Sequence, residues 1–205
     1  MELHEAIRRR AMVRSFASDP VDRAVVEHLL AAALHSPTAG NTGGTAWVAL
    51  AGPDETSVYW EATTDAAWRE SSPRWEGLRR APVVLLAYSR AASYVDRYRE
   101  PDKAGTGADV GLGDGMDHWP VPYWTGDAAF GVMTVLLGAV DAGLGACVLG
   151  NFRGEEALAR VLGVPDGWQL FCAVLVGRPD GGDHRSPSLD RALPDIRRRI
   201  HWGGW

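Results

Sequence analysis

The stretch TGDAAFGVMTVLLGAVDAGLGACVLGN, residues 125–151, decides the fold. Thr125 can cap a helix over 126–142 that is apolar nearly all round, and such a helix belongs in an interior. Gly143 is placed to end it. Residues 146–149 then read as a strand, bounded by the small corner Gly150-Asn151. A buried helix running straight into a buried strand calls for a sheet to pack against. Outward from this centre, residues 47–51, 82–88 and 170–177 are apolar runs bounded by Gly or Pro, three further strands. Helical spacing marks 2–10, then 22–34 with Asp22 as its cap, then 54–69 with Asp54 as its cap. It also marks 94–98, and 155–162 ended by Gly163 and Pro165. Residues 12–16 read as extended. Residues 99–122 are rich in Gly and Asp without periodicity, and a loop that long is usually functional. Helices and strands alternate irregularly, which predicts a central sheet packed by helices, an α+β sandwich.

The chain has 205 residues, which suits a single domain over 1–205. A net charge of −5 argues against nucleic-acid binding. The most apolar stretch, 128–140, is short of the ~20 residues of a membrane span, so no membrane association is expected. No charged-then-apolar leader opens the chain. Two cysteines, Cys147 and Cys172, are too few for a disulfide scaffold or a zinc site, and a reducing cytoplasm is expected. Nine tryptophans exceed what one small core needs, so some should line a subunit interface or a ligand cavity.

Four features can carry chemistry. Arg10 and Arg14, four apart around a turn, can converge on one anion through their planar donor forks. By themselves they read more simply as the solvated basic end of a helix. Residues 36–41, Ser-Pro-Thr-Ala-Gly-Asn, form a small-residue loop that lets a flat ring approach, with Asn41 as both donor and acceptor; an ordinary turn explains them as well. Residues 143–151 end a helix and open a corner whose free backbone N–H groups can meet a ligand. In the basic tail, Arg185 and Arg191 can reach a phosphate, whereas Arg197, Arg198 and Arg199 read as solvated. Asp109, Asp114, Asp117 and His118 match no metal-loop spacing, so no metal is expected. There is no dinucleotide fingerprint and no nucleophile elbow. His35 reads as a helix-end cap and Cys147 as a small buried hydrophobe.

In their order and spacing these features resemble the FMN-dependent nitroreductase family across almost the whole chain. Residues 10–16 resemble its R-R-S-x-R-x-F opening, and 36–41 its A-P-S-x-x-N loop. Asp127 through 143–145 resembles its buried helix ending in G-L-G, and 174–177 its last strand before a basic tail. Residues 94–98, 120–124 and the closing His-Trp-Gly-Gly-Trp resemble an actinobacterial-type branch. The resemblance implies a mainly antiparallel sheet in an intertwined homodimer holding FMN between subunits. It also implies electron transfer from NAD(P)H to a nitroaromatic, quinone or similar small-molecule acceptor by a ping-pong route. No protein acid or base is required for this, so no catalytic residue is assigned. Arg10 would bind the FMN phosphate, with Arg191 and Arg185 completing that site, and Arg14 would lie near the pyrimidine edge. Pro37, Thr38 and Asn41 would come from the partner subunit, and Leu149, Gly150 and Asn151 would present backbone to the ring. Ala11 and Met12 stand where the family usually has residues that assist phosphate and ribityl binding. The alternatives are a flavin-dependent dehydrogenase of another substrate and a non-catalytic flavin- or deazaflavin-binding protein.

Overall fold

The structure is a computed structural model and describes residues 1–103, 105, 110–183, 190–192 and 195–205. Its elements, in chain order, are α1 (Leu3–Arg9), α2 (Arg23–Leu34), β1 (Thr45–Ala51), α3 (Pro53–Thr63), α4 (Ala66–Ser71), α5 (Trp75–Leu78), β2 (Val83–Ser89), α6 (Ala91–Tyr98), α7 (Tyr123–Asp141), β3 (Gly145–Leu149), α8 (Glu155–Leu162) and β4 (Gln169–Gly177). The four strands form one sheet in the order β1-β2-β4-β3, and every pairing is antiparallel.

Helices cover both faces. α2 and α7 pack on the face carrying Val83, Leu85, Ala87, Val174 and Val176. Tyr59 and Trp60 of α3, Leu78 of α5 and Leu158 of α8 pack on the face carrying Val84, Leu86, Cys147, Ala173 and Leu175. All seven residues of β2 are therefore buried, which explains why this antiparallel strand is written as an unbroken apolar run rather than an alternating one. A bulge interrupts β4. Ala87 pairs with Cys172 but Tyr88 pairs with Leu170, so Phe171 is the extra residue. The bulge moves Leu170 to the face of Ala173 and Leu175, against simple alternation.

Two expected helices differ in detail, and one short helix was not expected. The helix expected over 54–69 is two. α3 starts at Pro53, whose fixed φ suits a first helical position, so Asp54 lies inside the first turn and Gly52 takes the cap. It stops because Thr63 and Thr64 turn their hydroxyls back on the carbonyls of Tyr59 (2.7 Å) and Trp60 (2.5 Å), and Asp65 then caps α4 through the Trp68 N–H. α5, in a stretch assigned to no element from sequence, is a single turn. α7 starts at Tyr123 with Pro122 as its cap, three residues before the expected cap Thr125, and its first turn is drawn into the aromatic cluster of Tyr94, Trp119 and Trp124.

α7 is also not buried all round. Val132, Val135, Leu136 and Ala139 face the sheet, but Phe130 is 53% exposed and Met133 41%. Leu34, near them in the α2–α7 pair, is exposed too. By length and apolar composition α7 could cross a membrane, yet it is packed along α2 and the sheet as a core helix is.

Leu158 is fully buried and ties α8 to α3 and the sheet. Leu158→Ala should cost about 2–5 kcal/mol of unfolding free energy in a denaturant titration. A cost under ~1 kcal/mol would mean that α8 is not anchored this way.

Candidate functional site

The site is built where the N-terminal segment meets β3. Met12 bridges Ala146 in parallel, and the Val13 N–H donates to the Ala146 carbonyl at 3.0 Å. The added strand covers the open edge of β3. It brings Arg14 beside Leu149, Gly150 and Asn151, residues some 135 positions further along the chain. Gly77 of α5 allows this path. A Cβ there would lie 2.4 Å from the Arg14 carbonyl oxygen, and the Gly77 carbonyl accepts from Phe16 N–H.

The segment after β4 holds the N-terminal strand from the other side. Ala17 N–H donates to the Arg178 carbonyl (2.9 Å), and Arg14 N–H donates to Asp183 (2.7 Å). Asp180 accepts from Gly182 N–H (2.7 Å), Ser15 Oγ (3.0 Å) and the Arg80 guanidinium (2.6 Å). The Gly182 amide above all, with Ser15 and Arg80, holds the Asp180 carboxyl below its ordinary value.

Between these walls lies a crevice of about 330 Å3. Arg14, Val148, Leu149, Gly150 and Asn151 line one side; Tyr59, Trp60, Thr63, Thr64 and Trp68 line the other. At its lip Phe152 stands 95% exposed. The Tyr59 hydroxyl donates to Asn151 Oδ1 at 3.4 Å. Burial pushes the Tyr59 phenol up to about 12, so it stays protonated and keeps its donor. With Oδ1 engaged in this way, Asn151 Nδ2 is left buried with no partner. A buried donor without an acceptor costs free energy, and such an atom marks a place for a ligand. The Arg14 guanidinium donates only to the Met12 carbonyl (3.1 Å) and meets no carboxylate among the described residues.

The expected site residues divide into groups. Arg14, Leu149, Gly150 and Asn151 come together. Ala11 lines a separate cleft of about 200 Å3 with Arg9, Val13 and Pro179. The Met12 side chain is packed against both core clusters. Arg10, at the end of α1, makes no ion pair among the described residues and does not line the Arg14 crevice. Arg10 and Arg14 thus do not line one crevice among the described residues. Pro37, Thr38 and Asn41 lie away from the crevice, beside α6 and the start of α7. Arg191 is exposed, and Arg185 and Asp109 lie outside the described residues. The α3–α4 wall was missed from sequence. Its signal was present in Tyr59 and Thr63, four apart on one helix face, followed by Trp68. Both thiols are buried and pushed up, Cys172 to about 12, which makes them poor nucleophiles.

The sequence profile of the Nitroreductase family matches residues 7–113 and 121–178. The chain belongs to the nitroreductase family. A curated relative from Archaeoglobus fulgidus, described as an NADH dehydrogenase/NAD(P)H nitroreductase, is 31% identical over 93 residues, 44% of this chain. The match spans about half (52%) of that relative's length. Among solved structures, the nitroreductase CinD from Lactococcus lactis in complex with nicotinic acid superposes with a TM-score of 0.71 at 19% identity, over 94% of this chain and 99% of its own. A Staphylococcus epidermidis protein described as an NAD(P)H:FMN oxidoreductase gives 0.74 at 15% identity, over 98% and 95%. The nitroreductase fold is thus shared over nearly the full chain, at identities that speak for fold alone.

The clasp at Asp180 makes a prediction about pH. A carboxyl whose folded-state pKa is depressed stabilises the fold above its unfolded pKa and loses that contribution as pH falls through the folded one. The melting temperature of the wild type should therefore drop more steeply than that of Asp180→Asn as pH falls below the ordinary 3.8. The two curves should converge in acid; parallel curves would rule the clasp out.

Proposed function

We propose that this nitroreductase-family chain is an FMN-dependent oxidoreductase that works as a homodimer. In this reading it takes electrons from NAD(P)H and gives them to a planar, electron-poor acceptor such as a quinone or nitroaromatic. One observation carries the proposal: the buried, unpartnered Asn151 amide beside the unpaired Arg14 guanidinium, in a crevice walled by Trp60, Val148 and Leu149. Apolar walls with a few fixed donors suit a flat heteroaromatic ring bearing carbonyls and ring nitrogens. The names borne by the Archaeoglobus and Staphylococcus proteins support the same donor and cofactor.

The residues present fit the ring better than the phosphate. Arg14 and Asn151 Nδ2 would hold its polar edge, and the backbone of Leu149–Asn151 would lie against it. Ala11 and Met12 bring no charge to a phosphate, which leaves that duty to Arg10, with Arg191 and Arg185 as further candidates. At about 330 Å3 the crevice is at the small end for a ligand site, as expected if a second protomer completes it. The exposed apolar residues Phe130, Met133 and Leu34 offer the surface for that second copy. Pro37, Thr38 and Asn41 would reach the flavin from there.

When bound, the flavin supplies the hydride and electron chemistry. The chain's own part is placement. The Arg14 cation favours negative charge at the near edge of the ring. The protonated Tyr59 keeps the Asn151 amide turned so that Nδ2 remains a donor. Trp60 and Trp68 on one side and Val148 on the other would keep water from the ring.

The purified protein should take up FMN stoichiometrically, sediment as a dimer and oxidise NAD(P)H when a quinone is added. Arg14→Ala should weaken FMN binding roughly tenfold to a hundredfold, the worth of a charge-assisted hydrogen bond. A dimer that takes up no flavin would end this reading; a yellow protein inert to every nicotinamide would favour the dehydrogenase or carrier alternative.

A further inference from the structure

The loop over residues 37–44 is fixed with unusual thoroughness for a surface turn of small residues. Ala39 N–H donates to Asp127 Oδ2 at 2.8 Å, and the Tyr94 hydroxyl donates to the same oxygen at 2.7 Å. Asp127 is only 4% exposed and pairs with no Lys, Arg or His among the described residues. A buried carboxylate is costly unless donors surround it. Here the loop's own backbone is one of those donors. Asp127 is not among the residues that line the crevice of Arg14 and Asn151.

α6 presses on the same loop. A Cβ on Gly44 would sit 2.5 Å from the Tyr94 ring, and one on Gly40 would sit 2.8 Å from the Tyr98 ring. Small residues are therefore needed there for contact with α6, whatever else the loop does. Arg97 Nε donates to the Gly40 carbonyl (2.9 Å), and Asp102 grips its guanidinium with both carboxylate oxygens, each at 2.6 Å. Within the loop, Gly43 N–H donates to Thr38 Oγ1 (3.0 Å) and Asn41 N–H to the Thr38 carbonyl (2.8 Å). Asn41 holds φ at +54°, a left-handed conformation that a non-glycine residue adopts only when its surroundings impose it. The bonds that reach the loop itself all engage its backbone, and the side chains of Pro37 and Asn41 stay exposed.

We propose that Asp127 and Tyr94 are positioning residues that preset the 37–44 loop for the cofactor shared with a partner protomer. This rests on the flavin reading above. The single acceptor oxygen of Asp127 couples the loop to α6 and α7, so the loop meets its ligand already ordered and little ordering entropy is lost on binding.

The test compares Tyr94→Phe, Asp127→Ala and Asp127→Asn by FMN titration and by hydrogen exchange of the flavin-free protein. Tyr94→Phe keeps the ring against Gly44 and removes only the hydroxyl. It should raise the FMN dissociation constant roughly tenfold, the effect of one lost hydrogen bond to a charged group. It should also speed exchange of amides within residues 37–44 while β2, β4 and the rest of α7 stay protected. Asp127→Ala should show a larger loss. Asp127→Asn keeps an oxygen able to accept from both donors and should fall closer to wild type. Where Asp127→Ala fails to fold, Tyr94→Phe and Asp127→Asn decide. Wild-type FMN affinity in Tyr94→Phe, or faster exchange spread evenly over the sheet, would overturn the positioning role. A wild-type protein that binds no FMN would instead overturn the flavin reading, and this proposal with it.

Discussion

One backbone hydrogen bond, from Val13 N–H to the Ala146 carbonyl, organises the crevice. It lays the N-terminal segment along β3 and closes an edge that would otherwise be open to other chains. It also sets Arg14, whose neighbours in sequence are at the far end of the chain from Asn151, at the same wall as Asn151. Phe16, fully buried, fixes one end of the segment, and Met12, wedged between both core clusters, fixes the other. The clasp of Ser15, Arg80 and Asp180 then holds the segment from outside. Loss of any of these would free Arg14 without touching it.

The sheet explains why both sides of the crevice are firm. Its buried central strands carry helices on both faces, and the α3–α8 pair clamps the turn after β3. Glu155 Oε1 accepts from the Leu170 N–H, and Arg153 pairs with Asp65, so the corner at Gly150-Asn151 is tied to both α4 and β4. Among the described residues, the α2–α7 pair leaves Leu34, Phe130 and Met133 exposed. The contrast between a firmly packed core and a bare apolar helix face is what distinguishes the two ends of α7's circumference.

Much of this was legible in the sequence because its signals are local. The four strands are bounded by Gly and Pro, α8 ends where Gly163 and Pro165 require, and Asp22 caps α2 through Ala24 N–H. The errors came where a distant or competing contact prevailed. Thr63 and Thr64 bond to carbonyls behind them and break a helix whose periodicity runs on. The first turn of α7 is drawn into the aromatic cluster ahead of Thr125. Phe171 bulges and reverses which face Leu170 uses. For the site, β3 and the corner after it were readable as one wall, since they follow directly from a helix end. The opposite wall, Tyr59 to Trp68, depends on how α3 folds back over the sheet: the shared helix face of Tyr59 and Thr63 is local, but what that face meets is not.

The two thiols carry one more consequence. Cys147 and Cys172 are both interior and both held protonated by burial. In the folded chain both thiols are therefore shielded from alkylating reagents. Thiol labelling then becomes a counter of opening events, one for each helix layer: Cys172 reports the α2–α7 side of the sheet and Cys147 the α3–α8 side.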